Sequence, residues 1–176
     1  MSGTSPHQPA IRPAHSKDFD ELQNLLNMAN DYALTQSGVR MWANMGHAYS
    51  TLRAQIEAGE FFVVRDPRGA ITSAIALADN NECWEQAGIG GSALYFMKLM
   101  KDPAKALPGE GLRLLGFAAA ETLRQGKTLL RCDTLIESGA LVDYYRRLGF
   151  QSKGTFMYES TGRPAYCWKS CPGPCW

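Results

Sequence analysis

Two glycines one residue apart, Gly109 and Gly111, separate an apolar run from Leu94 to Lys101 from an amphipathic stretch running from Leu112 to Gln125. A glycine pair at a strand-to-helix junction lets neighbouring backbone N–H groups turn toward one point, and the helix behind them adds the positive end of its dipole. Such a junction can hold an anion. The same spacing also serves a plain tight turn, and Gly-x-Gly alone does not choose between the two. Other chemistries lack their residues. Leu114 stands where a dinucleotide fingerprint needs its third glycine, no G-x-x-x-x-G-K-[ST] occurs, and His7, His15 and His47 show no ligand spacing, so no metal is expected. The cysteines, Cys83, Cys132, Cys167, Cys171 and Cys175, are odd in number without a C-x-x-C pair, which favours neither a disulfide framework nor a zinc site. Cys132, on an apolar strand, reads as a small core residue.

The elements that must position the glycine turn follow from periodicity. Leu112, Leu115, Phe117, Ala118, Ala119 and Leu123 recur at helical spacing before the stop at Gly126, and Thr128 to Asp133 is the next strand. Upstream, Ala10 to Pro13 gives a short first strand. Ser16 caps a helix whose Leu22, Leu25, Leu26, Ala29 and Ala33 keep helical period until Gly38. Met41 to Met45 breaks the pattern; Trp42 there suits core packing or a ligand contact. Ser50 opens a second helix ended by Gly59. Phe61 to Val64 and Ile71 to Leu77 form a hairpin around Asp66-Pro-Arg-Gly69, and Asp79 to Ser92 reads as a polar, flexible connection. Ser138 to Leu148 is a last helix, Gly149-Phe150 begins a strand, Ser160 to Pro164 is a turn, and Ala165 to Lys169 closes the sheet.

A chain of 176 residues suits one domain: a flexible N-terminus at 1–9, a folded unit at 10–169 and a tail at 170–176 whose prolines prevent regular structure. The composition is 45% hydrophobic and 20% charged, with a formal net charge of +1 that offers no general attraction for nucleic acid or an acidic membrane. No run approaches the ~20 apolar residues of a membrane span, and Met1 to Pro9 lacks a signal-peptide layout. A cytoplasmic protein, monomer or homodimer, is expected.

The order strand, Ala106-x-x-Gly109-x-Gly111, helix, strand, then Tyr145-x-x-x-Gly149-Phe150 resembles the GCN5-related N-acetyltransferase (GNAT) superfamily over roughly residues 9 to 160. The resemblance implies an α/β (α+β) GNAT fold: a mixed, mostly antiparallel sheet with splayed central strands, flanked by about four helices. It implies acetyl-coenzyme A as cosubstrate, a small amine as acceptor, and direct attack in a ternary complex. In the family's R/Q-x-x-G-x-G/A turn the pyrophosphate is bound, so Ala106, Leu107, Gly109, Glu110, Gly111 and Leu112 correspond to coenzyme contacts. Leu99, Met100 and Lys101 would contact pantetheine through their backbones. Ser138 stands where members often carry a coenzyme-binding asparagine. Tyr145 matches the tyrosine that protonates the leaving thiolate; plain packing is its other reading.

Three departures mark the turn. Ala106 replaces Arg or Gln, Pro108 has no N–H, and Glu110 is expected to put a negative charge near the phosphates, which Lys101, Lys105 and Arg113 can offset. On the acceptor side, Trp42, Asp79, Glu82, Trp84 and Asp133 are candidate contacts, with Asp79, Glu82, Glu85 and Asp133 as candidate general bases. Solvation is the commoner fate of a carboxylate. The turn's departures leave a second class open: a degenerate acyl-coenzyme A-binding regulatory or interaction protein.

Overall fold

The structure, a computed structural model, describes residues 9–89, 91–158 and 161–171. Residues 1–8 of the expected 1–9 N-terminus, the Ser160 end of the turn, and the tail beyond Cys171 with Cys175 lie outside the described residues. The described residues form seven strands, five α-helices and one 3-10 turn. Strand β1 (Ile11–Pro13) is followed by a short 3-10 turn at Ser16–Asp18, helices α1 (Phe19–Ser37) and α2 (Met45–Glu57), and strands β2 (Phe61–Arg65) and β3 (Ile71–Ala78). Next come α3 (Glu82–Gln86), β4 (Ala93–Lys101), α4 (Glu110–Arg124), β5 (Leu129–Leu135), α5 (Gly139–Arg147), β6 (Gln151–Tyr158) and β7 (Arg163–Ser170).

The strands form one seven-stranded sheet in the order β1-β2-β3-β4-β5-β7-β6, antiparallel throughout except where β4 runs parallel to β5. This is the expected mixed, mostly antiparallel α/β fold. Because side chains alternate along a strand, neighbouring residues feed opposite layers. Val64, Ile75, Leu94, Phe96, Leu130, Cys132 and Trp168 pack under Leu114, Leu115 and Ala118 of α4 and Val142 and Tyr145 of α5. Phe61, Val63, Ala74, Ala76 and Met100 pack under Leu22, Leu25 and Leu26 of α1 and Leu52 and Ile56 of α2. β3 lies between both layers and is buried along its whole length.

Three expectations change. The buried stripe of α4 is Glu110, Leu114, Leu115, Ala118, Ala119 and Thr122, whereas Leu112 and Leu123 are exposed. At 100° per residue, these two leucines project about one residue off the stripe. α2 starts at Met45, not Ser50, because the Asn44 side chain accepts from the His47 N–H at 3.0 Å and caps it. The connection 79–92 is not simply a polar loop. Within it α3 buries Cys83 and Trp84 against Ala93, Tyr95 and Cys167.

Candidate active site

The two parallel strands separate soon after they meet. β4 and β5 are in register only at Ala93–Leu129, Leu94–Leu130 and Tyr95–Arg131. Beyond Tyr95 the β4 backbone keeps its β3 partner but loses its β5 partner, so one edge of Phe96 to Lys101 faces an opening. The β3–β4 register also shifts: Ala74 opposes Met100 while Ala76 opposes Met97, which places an extra residue on β4. That bulge carries Lys98 at φ 47, the one described non-glycine residue with positive φ. Such a backbone costs on the order of 1–3 kcal/mol and persists only where the surroundings enforce it. Leu99 and Met100 send their side chains into opposite cores, and Lys101 is exposed, so it is their backbones that border the opening.

At the far end of β4 the chain enters the glycine turn. Asp102 is buried; its N–H donates to the Thr72 carbonyl at 2.7 Å, and its Oδ1 accepts from the Ala104 N–H at 2.9 Å. Lys105 pairs with the same carboxylate at 3.4 Å. Gly109 caps α4 with a left-handed φ of 81, a conformation that favours glycine. Gly111 is needed for neither reason: its φ is ordinary and a Cβ there would meet nothing within 4 Å. The space before it is open. Glu110 corrects the sequence expectation. It does not face the turn but is buried, accepting hydrogen bonds from Thr72 Oγ1 at 2.9 Å and Ser73 Oγ at 2.8 Å. Thr72 of β3 thus anchors the turn at both ends, and no described side chain caps the start of α4. Three residues further along α4, Arg113 has Nε and Nη2 buried with no partner among the described residues. Ala106 is half-buried, while Leu107 and Leu112 are exposed.

On the α4/α5 side of the opening lies Tyr145. Its ring contacts Phe96, Phe150, Trp168 and Tyr144 at centroid distances of 5.7, 5.4, 6.5 and 5.4 Å. Phe150 docks there because its N–H donates to the Tyr145 carbonyl after the Gly149 turn at φ 81. Burial pushes the Tyr145 hydroxyl well above its ordinary range, with the neighbouring Cys132 adding to the effect. It therefore holds its proton at neutral pH. Ser138, buried, precedes α5 and caps it through its carbonyl, which accepts from Leu141 and Val142, rather than through its hydroxyl.

The acceptor-side candidates are scattered. Asp79 is 80% exposed and paired with Lys127. Glu82 and Glu85 are exposed, Glu82 accepting from Gln86 at 2.9 Å. Trp84 is fully buried, donates its indole N–H to the Cys132 carbonyl at 3.1 Å, and carries the Arg131 guanidinium over its ring at 4.3 Å. That packing leaves it no face for a ligand. Trp42 is half-buried, its backbone clamped by the buried Asn30 amide through bonds of 3.0 and 3.1 Å. Asp133 is the carboxylate that reaches the split strand. Its Oδ1 accepts from Asn81 Nδ2 at 2.9 Å, its Oδ2 from the Tyr158 hydroxyl, and the Cys83 thiol also bonds it. Burial raises its pKa while these bonds and the Lys98 charge oppose the rise.

Several participants carried no sequence signal. Asn30, Thr72 and Ser73 sit within ordinary apolar periods, and Tyr158 is remote from everything it touches. Lys98 was hidden inside a strand. Only its charge amid Phe96, Met97, Leu99 and Met100 set it apart.

No protein-family model matches the chain. It is 26% identical over 148 residues, 81% of each chain, to the uncharacterized N-acetyltransferase YesJ of Bacillus subtilis. A GNAT-family acetyltransferase from Listeria monocytogenes superposes with a TM-score of 0.72 at 21% identity, covering 93% of this chain and 94% of that one. Spermidine N-acetyltransferase from Vibrio cholerae, in complex with CoA and spermine, gives a TM-score of 0.63 at 14% identity over 95% and 97% of the two chains.

Proposed function

We propose that this chain, which has the fold of the GNAT superfamily, transfers an acetyl group from acetyl-coenzyme A to the amine of a small molecule by direct attack in a ternary complex. The observation that carries the proposal is the split: β4 bulges and loses β5 within a few residues, with an uncapped helix start at one end and a protonated tyrosine on its wall. An extended pantetheine can then pair with the free β4 edge, while the N–H groups of Gly111 and Leu112 and the α4 dipole meet the pyrophosphate. Gly111 leaves the approach clear.

In the proposed reaction the neutral amine attacks the thioester carbonyl, and the tetrahedral intermediate expels the coenzyme thiolate. Tyr145 supplies the proton that the thiolate takes, which suits a hydroxyl held protonated by burial. Ala106 in the place of the family's Arg or Gln favours a second reading, a non-catalytic acyl-coenzyme A-binding protein. Calorimetric titration with acetyl-coenzyme A, followed by coenzyme release across a panel of small primary amines, separates the two. Absence of binding sinks both. Binding without turnover on any amine favours the second.

A further inference from the structure

We propose that Lys98 is the general base of the acceptor side: its neutral Nζ takes the proton from the incoming ammonium, and the neutral amine so formed attacks the thioester. The inference rests on the acetyl-transfer reading above.

The geometry begins with the bulge. An extra residue in β4 sends both Met97 and Lys98 toward the α1/α2 layer, where Met97 packs and Lys98 Nζ donates to Gln55 Oε1 of α2 at 2.7 Å. Leu99 turns back to the opposite layer, that of Tyr145. Tyr145 packs against Phe96 from the α4/α5 side at 5.7 Å, only two residues before Lys98 on the same strand. A carbonyl lying in the opening past Tyr95 therefore has a proton donor on one sheet face and an amine on the other. That is the division of labour the reaction requires.

The chain keeps a strained left-handed lysine where glycine would be free of strain, so the side chain at this position has a use that its backbone does not explain. Lys98 also suits the task chemically. Burial lowers its pKa from the ordinary 10.5 to about 8, against the opposing charges of Asp133 on β5 and Glu60 ahead of β2. Glu60 is itself raised by burial and by Asp79, and the α2 neighbour Gln55 is neutral. Roughly one-tenth of such a lysine is neutral at pH 7, and half near pH 8. The carboxylates are less suited. Both oxygens of Asp133 already accept hydrogen bonds, Asp79 is tied to Lys127, and Glu82 and Glu85 face solvent.

The protons balance. Nζ gains the ammonium's proton, the N–C bond forms, the C–S bond breaks as the thiolate takes the Tyr145 proton, the second proton shed by the acetylated nitrogen restores the Tyr145 hydroxyl through solvent, and Lys98 returns its own to solvent.

Coenzyme release is measured from pH 6 to 10 with an acceptor whose own amine titrates above about 9, for wild type, Lys98→Arg and Lys98→His. Wild type is expected to show an acid limb of kcat/KM inflecting near 8. Lys98→Arg, which cannot give up its proton, is expected to lose on the order of 10²-fold and the limb with it, and Lys98→His to move the limb downward. In parallel, trace labelling of wild type with acetic anhydride, read at the Lys98 peptide by mass spectrometry, reports its titration without any variant. An inflection near 10.5, or a Lys98→Arg enzyme with wild-type rate and limb, overturns the proposal. Acetyl-coenzyme A calorimetry of wild type is the separate control, since failure to bind rejects acetyl transfer itself.

Discussion

The two sides of the split strand are built differently. On the proposed donor side, the glycine turn, the start of α4 and Tyr145 come from residues 109–145, and most contacts proposed for a ligand are backbone. On the proposed acceptor side, Gln55, Glu60, Asn81, Lys98, Asp133 and Tyr158 come from six separate elements or their flanks, and what they offer is side chain. A backbone site tolerates sequence change as long as its turn is kept. A side-chain site does not.

Substitutions can sharpen that contrast. The largest effect is expected at Gly111→Asp, where the protein itself has room for the side chain but a phosphate does not, and the carboxylate repels it. Calorimetry should show acetyl-coenzyme A affinity falling on the order of 10²-fold or more with the melting temperature unmoved. Normal binding would place the phosphate site elsewhere. Next is Tyr145→Phe, which removes a proton donor while the ring keeps its four aromatic contacts. kcat should drop roughly 10²-fold with little change in coenzyme affinity, and Tyr144→Phe, about 100° around the helix, should be nearly silent.

Asp133→Ala tests the acceptor side as an architecture. It strips the Asn81 amide and the Tyr158 hydroxyl of their partner, so denaturant unfolding should show a loss of about 2 kcal/mol, with coenzyme affinity intact. A stability loss with equal loss of coenzyme affinity would mean that the two sides are not separable. Lys98→Met gives a pH-dependent stability change. A lysine whose folded pKa lies near 8, below its ordinary 10.5, destabilises the fold when charged. That penalty is absent above 10.5, grows as pH falls, and is fully developed below 8. The variant should therefore melt higher than wild type at pH 7, and the difference should shrink as pH rises toward 10.5.

The smallest effect is expected at Glu110→Gln. Were this carboxylate repelling the phosphates, neutralising it would tighten binding. Because it bonds Thr72 and Ser73 instead, coenzyme affinity should stay within about threefold of wild type, while the melting temperature falls slightly.

Several of these assignments differ in how far the sequence foretold them. Helical periods placed α1 and α4, β-rich runs around a turn placed the β2–β3 hairpin, and no described helix is long and apolar enough to cross a membrane. The paired turn and tyrosine motifs lie close together in the chain, so their spacing carried the fold family. α3 was missed because five residues are too few to show a period, and its burial of Cys83 and Trp84 depends on β5 and β7 being beside it.

Charge and direction of side chains were beyond local reading. Whether Glu110 faces a phosphate or two hydroxyls depends on β3, thirty-seven and thirty-eight residues earlier. Whether Trp84 meets a ligand or the Cys132 carbonyl, and whether Asp133 is free or held, depend on which strands flank β5. Lys98 is the clearest case. Its sequence neighbours fix a strand, but only the register between β3 and β4 decides that the strand carries one residue too many there, and at that surplus residue the lysine turns toward Gln55 of α2. Sequence period sets which face of an element is apolar because that preference is local; the direction of a polar group is set by partners that only the closed sheet brings within hydrogen-bonding distance.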